Sequence, residues 1–259
     1  MSFDLGGRVA IVTGASAGLG VEFADALAAC GANVVLAARR EERLVALAGE
    51  IEERHGVRAL PLRTDVSVEA DIVRLMEATV DAFGTIDVLV NNAGTTIGNP
   101  LLEHTLEDWR TVIDANLTSI FLASREAARV MVEKRSGSIV NVGSVFGQTA
   151  VRQFPVVGYY ASKGGVTMLT RALAVELGAH NIRVNEVAPT FFPTEMSRDM
   201  FGDSERSEQL RQEVLWPKTA LPNLPKAEYC RGAVCFLASD DSCYMTGTTV
   251  AVDGGWLAL

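Results

Sequence analysis

The chain is poor in histidine, in cysteine and in basic charge, and each shortage closes off a class of function. Its three histidines, His55, His104 and His180, are scattered along 259 residues, so a metal centre built on them is not expected. The four cysteines, Cys30, Cys230, Cys235 and Cys243, lack the paired spacing of a zinc site, and Cys30 lies far from the other three. Reduced thiols are the expectation. Lysine and arginine total 23 against 32 aspartates and glutamates, a net charge of −9. A nucleic-acid binder would show the opposite balance. No apolar run approaches the roughly 20 residues that a membrane-crossing helix needs. The opening stretch, Met1 to Gly6, has neither the basic start nor the apolar middle of an export signal. A cytoplasmic protein is therefore expected.

What the chain does have is apolar mass. At 48% hydrophobic residues it can bury a large core. No linker, repeat or low-complexity tract divides it, so one domain over 1–259 is the economical reading. Short apolar runs at 8–13, 34–37, 58–62, 86–90, 138–142, 182–187 and 248–252 read as buried strands. Helical patterns fall between them, at 18–31, 41–54, 68–83, 106–134, 159–177 and 226–237. Strands alternating with helices of this length predict βαβ units, an α/β fold with a parallel sheet. The stretch 189–225 interrupts the rhythm. It carries Phe191, Phe192, Met196, Met200, Phe201, Leu215 and Trp216 among charged residues. Part of it should pack on the domain as a helical excursion, and part should cover a substrate pocket as a lid.

Three local patterns carry chemistry. The first is the turn Thr13-Gly14-Ala15-Ser16-Ala17-Gly18-Leu19-Gly20, between the first strand and the first helix. Gly14 allows a tight turn, while Gly18 and Gly20 let backbone approach a pyrophosphate at the helix N-terminus. The second is the end of the second strand, Ala37-Ala38-Arg39-Arg40. A carboxylate there would take the ribose 2′-hydroxyl of NAD, whereas arginine suits the 2′-phosphate of NADP. NADP(H) is favoured and NAD(H) is the alternative; Glu41 and Glu42 could instead pair with the two arginines. The third is Tyr159 with Lys163, one turn apart on a predicted helix. An ammonium held near a phenol favours the phenolate and should draw its pKa down toward neutrality. The adjacent Tyr160 has Gly164 four residues on and lacks such a partner. Ser144 stands just past the carboxyl end of a strand, where open α/β sheets bind ligands. Ser136 and Ser138 are near it in sequence but at the wrong end of the strand.

Together these residues resemble the short-chain dehydrogenase/reductase family, compact type, over about residues 4–255. Thr13-Gly14-x-x-x-Gly18-x-Gly20 is similar to its cofactor turn, Asn91-Asn92-Ala93-Gly94 to its second signature, and Asn116, Ser144, Tyr159 and Lys163 to its catalytic tetrad. The resemblance implies a single-domain Rossmann-type doubly wound sheet, seven parallel strands in order 3-2-1-4-5-6-7, with helices on both faces. It implies an oxidoreductase acting on a small-molecule ketone or secondary alcohol, in a homotetramer or dimer joined by the helices around Asn116 and Tyr159. It gives Tyr159 the proton transfer, Ser144 the substrate oxygen, Lys163 the nicotinamide ribose, and Asn116 a water linking Lys163 to solvent. It places Ser16, Leu19, Asn92, Ala93 and Gly94 along the cofactor and Asp65-Val66 at the adenine. Asp65 and Ser67 could also cap the next helix. Pro189, Phe192 and Thr194 would hold the carboxamide.

Two departures touch the pocket. Thr190 stands where the family usually has glycine after Pro189, and 152–155 lengthens the Ser144-to-Tyr159 gap by about two residues. Within the family the nearest look is to 3-oxoacyl-carrier-protein reductases. Those that read an acidic carrier protein tend to have two basic residues beside the cleft, and the matching positions here are Arg135 and His180. Phe154, Phe191 and Trp216 would suit an apolar or aromatic ketone. A sugar acid or polyol, oxidised with NAD, is the alternative, and a non-catalytic NADP-binding regulator is a third reading.

Overall fold

A computed structural model describes residues 3–259; Met1 and Ser2, which begin the stretch read for an export signal, lie outside the described residues. The seven strands are β1 (Val9–Thr13), β2 (Asn33–Ala38), β3 (Ala59–Arg63), β4 (Val88–Asn91), β5 (Gly137–Val142), β6 (Ile182–Pro189) and β7 (Thr249–Val252). They form one sheet in the order β3-β2-β1-β4-β5-β6-β7, every neighbouring pair parallel. The helices are α1 (Leu19–Ala29), α2 (Glu41–His55), α3 (Glu69–Phe83), α4 (Leu106–Ile113), α5 (Ser119–Lys134), α6 (Val157–Leu177), the short α7 (Arg198–Phe201) and α8 (Glu205–Leu210), and α9 (Arg231–Ala238). The doubly wound class and strand order are those expected.

The apolar runs are continuous because the sheet is buried on both faces. Alternate residues of each strand serve opposite layers. Ala10, Val12, Val34, Leu36, Val88 and Val90 pack with Phe23 and Leu27 of α1, Leu44 of α2 and Val234 of α9. Val9, Ile11, Val35, Ala37 and Leu89 pack with Ile72 of α3, Met131 of α5 and Leu177 of α6. All four cysteines are free thiols, and Cys30 packs against the same core cluster as Cys230 and Cys235 despite its distance in sequence.

Two predicted stretches differ in detail. The helix expected over 106–134 is interrupted by a π turn, Asp114–Thr118, whose middle residue is the fully buried Asn116. A wide turn of this kind re-aims a side chain within a helix and recurs at functional sites. The stretch 189–225 contains α7, α8 and short π and 3-10 turns. Its Met200, Leu210, Val214 and Leu215 are buried with Phe146 and Trp256. The packing half of that expectation is met.

β1 is hydrogen-bonded to β2 on one side and β4 on the other, so successive connections leave in opposite directions. A crevice opens there, at the carboxyl ends of the strands. Further along, Gly143 closes β5 against the fully buried Glu186 of β6. A Cβ at Gly143 would lie 1.7 Å from Glu186 Oε1. Replacing Gly143→Ala should lower stability by about 1–3 kcal/mol through overpacking. Glu186→Ala in the same chain should recover part of the loss, measured as a double-mutant cycle in urea. An equal loss in both backgrounds would mean that the carboxyl is not the obstacle.

Candidate active site

A cleft of about 1180 Å³ runs along the carboxyl ends of the strands. One half is formed by Gly14, Ser16, Gly18 and Leu19 after β1, by Arg39 and Arg40 after β2, and by Asp65 and Val66 after β3. Asn92, Ala93 and Gly94 lie at its middle. Ser144, Tyr159, Lys163, Pro189, Phe192 and Thr194 complete the other half. Residues from six loops, far apart in sequence, thus meet because parallel strands bring all their carboxyl ends to one edge.

The glycine turn is built by sterics. Gly14 (φ +69°) and Gly18 (φ +58°) both occupy left-handed backbone that side chains rarely adopt. Asn92 Nδ2 donates to the Thr13 and Gly14 carbonyls at 2.9 and 3.3 Å, so its amide braces the turn. Gly20 does not line the cleft, contrary to its expected place on the pyrophosphate. It is buried behind the turn, where a Cβ would lie 2.3 Å from the Gly14 carbonyl. Its smallness lets α1 close onto β1.

At the far end, Lys163 is 4% exposed. Its Nζ donates to the Val142 carbonyl at 2.7 Å and lies 5.5 Å from the centre of the Tyr159 ring. Burial lowers its pKa to about 8, with the Glu186 carboxylate opposing the shift. Glu186 accepts from Thr249 Oγ1 at 2.8 Å and Thr167 Oγ1 at 3.1 Å, and burial pushes its own pKa up. The expected depression of the Tyr159 pKa is not found. Burial raises it, and the Ser144 hydroxyl opposes the shift. The ammonium is turned to a carbonyl behind the phenol, while the phenolate would lose its water. Ser144 Oγ accepts from the Phe146 N–H at 3.1 Å, which fixes the hydroxyl beside the tyrosine.

Asn116 is brought to this end but does not line the cleft. Its Oδ1 accepts from the Thr95 N–H at 2.7 Å, and its Nδ2 donates to the Thr95 carbonyl at 2.9 Å and Ser162 Oγ at 3.0 Å. The amide therefore ties the segment after β4 to α6 next to Lys163. Tyr160 is engaged elsewhere. Its hydroxyl accepts from the Val151 N–H at 3.1 Å and stands 3.2 Å from the Val151 and Phe154 carbonyls, holding the lengthened 152–155 loop.

That loop delivers Phe154 to an aromatic wall. Phe191 meets Phe154 at 5.1 Å and Phe146 at 5.3 Å between ring centres. Phe146 and Tyr159 meet edge-on at 6.3 Å. Phe146 was not singled out by the sequence, since nothing in a two-residue step past Ser144 says which way the chain turns. Trp216, expected at the substrate, does not line the cleft. It packs on the cluster around Leu215 and Trp256.

Residues 8–205 match the short chain dehydrogenase family model. The chain belongs to the short-chain dehydrogenase/reductase family. The chain is 37% identical over 255 residues to the 3-oxoacyl-[acyl-carrier-protein] reductase FabG of Escherichia coli K12, covering 98% of each chain. Among solved structures it resembles a gluconate 5-dehydrogenase from Burkholderia cenocepacia in complex with NADP and tartrate (TM-score 0.91, 32% identity, 100% and 98% covered). It also resembles an NADPH-dependent 3-quinuclidinone reductase from Rhodotorula rubra (TM-score 0.90, 30% identity, 100% and 94% covered).

Further expectations are revised by the geometry. Glu41 and Glu42 are not the partners of Arg40, which pairs with Glu195 from beyond β6 at 2.9 Å. Asp65 caps no helix; it accepts from Ser67 N–H and Oγ at 3.0 and 2.7 Å, and Val68 is the N-cap of α3. The Ser67 bonds hold the Asp65 carboxyl below its ordinary range, and Arg39 adds to the effect. Arg135 and His180 precede β5 and β6, so they stand at the amino ends of those strands. Six strand residues at about 3.3 Å each separate that edge from the cleft. The rim itself carries Glu107, Arg110, Asp114, Arg198 and Asp199, a mixed set without basic surplus.

The cleft fits a dinucleotide. It has glycine backbone at the turn, arginines after β2, and two buried hydroxyls on its wall, Thr96 Oγ1 and Thr190 Oγ1, that have no hydrogen-bond partner among the described residues. The buried lysine has a measurable signature. The unfolded chain keeps the Lys163 proton up to pH 10.5 while the folded chain loses it near 8. Stability should therefore rise with pH across that window. Between pH 8 and 10 the wild type should gain about 2–3 kcal/mol relative to Lys163→Met in urea unfolding. A flat difference would mean that the ammonium is not desolvated.

Proposed function

We propose that this protein is an NADP(H)-dependent oxidoreductase that reduces ketones bearing an apolar or aromatic flank, and oxidises the matching secondary alcohols. The observation that carries the reading is the convergence of the Tyr159 phenol, the Ser144 hydroxyl and buried Lys163 at one end of a cleft whose other end carries Arg39 and Arg40. The nicotinamide cofactor, when bound, supplies or takes the hydride. The glycine turn would hold its pyrophosphate, Arg39 and Arg40 its 2′-phosphate, and Asp65 with Val66 its adenine. Ala93 and Gly94 would border it, Lys163 its ribose, and Phe192 and Thr194 its carboxamide.

The protein's own part in the chemistry is proton placement. Burial keeps the Tyr159 phenol protonated at neutral pH, the form that gives a proton to a ketone oxygen. Ser144 would hydrogen-bond that oxygen and hold it against the phenol as charge develops. Lys163, still mostly charged at pH 7, would stabilise the phenolate left behind. Asn116 positions Lys163 indirectly, through Ser162 and Thr95. Phe146, Phe154 and Phe191 favour an acyl chain or ring over a polyol. The stretch 189–225 would act as the lid. The NADP and NADPH named for two structural neighbours support the cofactor choice.

The test is binding and turnover together. Wild type should bind NADPH more tightly than NADH, and Arg39→Asp should remove that preference. Tyr159→Phe should reduce turnover by about 10²–10⁴ while NADPH affinity stays within about twofold. Undiminished turnover would remove Tyr159 as the acid. NADPH oxidation over acyl thioesters, diketones, aryl ketones and sugar acids would rank the substrates; a sugar acid in first place would sink the aromatic-wall argument.

Exposed Phe121 on α5 with Met168 and Val175 on α6 present apolar side chains that suit a self-association face. Sedimentation should report a dimer or tetramer, and a monomer at micromolar concentration would overturn that assignment.

A further inference from the structure

Two arginines at the start of α2 already hold an anion, and it comes from the chain itself. Arg40 Nη1 lies 2.9 and 3.2 Å from the two carboxylate oxygens of Glu195. Arg43 Nη1, from the same first turn of α2, donates to Glu195 Oε1 at 2.7 Å. Arg40 Nε donates to Ser16 Oγ at 3.2 Å, inside the turn. Arg39 beside them has no ion-pair partner among the described residues. One exposed carboxylate thus faces two guanidinium groups, one of them tied to the Ser16 hydroxyl of the turn.

The position of that carboxylate is set by its neighbour. Thr194 packs on the phosphate turn so closely that a Cβ at Gly18 would lie 3.0 Å from its methyl group. A short cap fixes the following residues, with Thr194 N–H donating to Ser197 Oγ at 3.1 Å. Glu195 is therefore held over the adenosine end of the cleft, 155 residues from the arginine it binds.

We propose that Glu195 is a specificity-determining residue of the cofactor cleft, an internal anion that occupies Arg40 and Arg43 until a ligand phosphate displaces it. The inference rests on the NADP(H) reading given above. A carboxylate brings one charge, whereas a phosphate monoester brings about −1.5 to −2 and three strong acceptor oxygens. The phosphate therefore wins the exchange, but only after the Glu195 pairs are broken. A cofactor without the phosphate leaves Glu195 in place. Glu195 thus weakens the hold on phosphate-bearing cofactors alone, and its release couples occupation of the adenosine end to movement of the segment that begins the lid.

The experiment compares wild type, Glu195→Gln and Arg40→Ala as full chains, with melting curves to verify folding. Kd values are measured for NADPH and NADH by nicotinamide fluorescence, and for 2′,5′-ADP and 5′-ADP by calorimetry. Glu195→Gln, which keeps the volume and removes the charge, should tighten NADPH and 2′,5′-ADP about three- to tenfold, the scale of two exposed ion pairs. NADH and 5′-ADP should stay within about twofold. No change, an equal change for both cofactors, or weaker NADPH binding would each overturn the role of Glu195. The Arg40→Ala arm separates the two failures. If wild type shows no preference for NADPH and Arg40→Ala leaves its affinity intact, the cofactor reading falls and takes the Glu195 proposal with it. If that preference and its loss are seen while Glu195→Gln is silent, only the Glu195 proposal falls.

Discussion

A lysine ammonium buried beneath a tyrosine is the constraint on which the rest of the cleft depends. Taking Lys163 out of water disfavours its charge, and its pKa falls to about 8. Three things make that burial tolerable. The Val142 carbonyl accepts a hydrogen bond from it, the Glu186 carboxyl lies in its field, and the end of β5 narrows to Gly143 so that the carboxyl fits. The same burial keeps the Tyr159 phenol protonated. A lysine left in solvent would hold its charge, but its field on the phenol would be screened by water. The arrangement gives up some stability to keep a buried ammonium close to the half-buried phenol on the cleft wall.

The parallel sheet explains why so many distant residues take part. Every strand ends at the same edge, so each following loop contributes to one crevice. Buried side chains then lock the loops. Asn92 braces the glycine turn from the end of β4. Asn116, in the π turn, joins the next loop to α6. Tyr160 holds the lengthened loop that presents Phe154. The residue beside the catalytic candidate is thus a structural one, and it sets the aromatic side of the pocket. The two ends of the cleft differ, with guanidinium groups at one and aromatic rings at the other.

Much of this was legible in the order of residues. Period and length fixed the seven strands and main helices, because a sheet covered on both faces needs unbroken apolar runs. The glycine turn, the strand-end arginines, Ser144 and the Tyr159-Lys163 step were each readable, since each depends on spacing within one element or one turn. Glu186 left a signal too, a lone acid in an apolar strand, although the spacing of that strand does not say what the acid faces.

Tertiary structure alone decided the rest, and the reason is contact across elements. The order of residues placed Gly20 with its neighbouring glycines, but only packing put it behind the turn. It placed Trp216 in an apolar segment, but only the fold of 189–225 turned it away from the cleft. The direction of the Tyr159 shift depends on how much water the phenol loses, and the partner of Arg40 is an acid 155 residues away. Sequence determined which groups this protein has and which strand or helix carries each. The three-dimensional packing determined which of them are dry, which are paired, and which face one another.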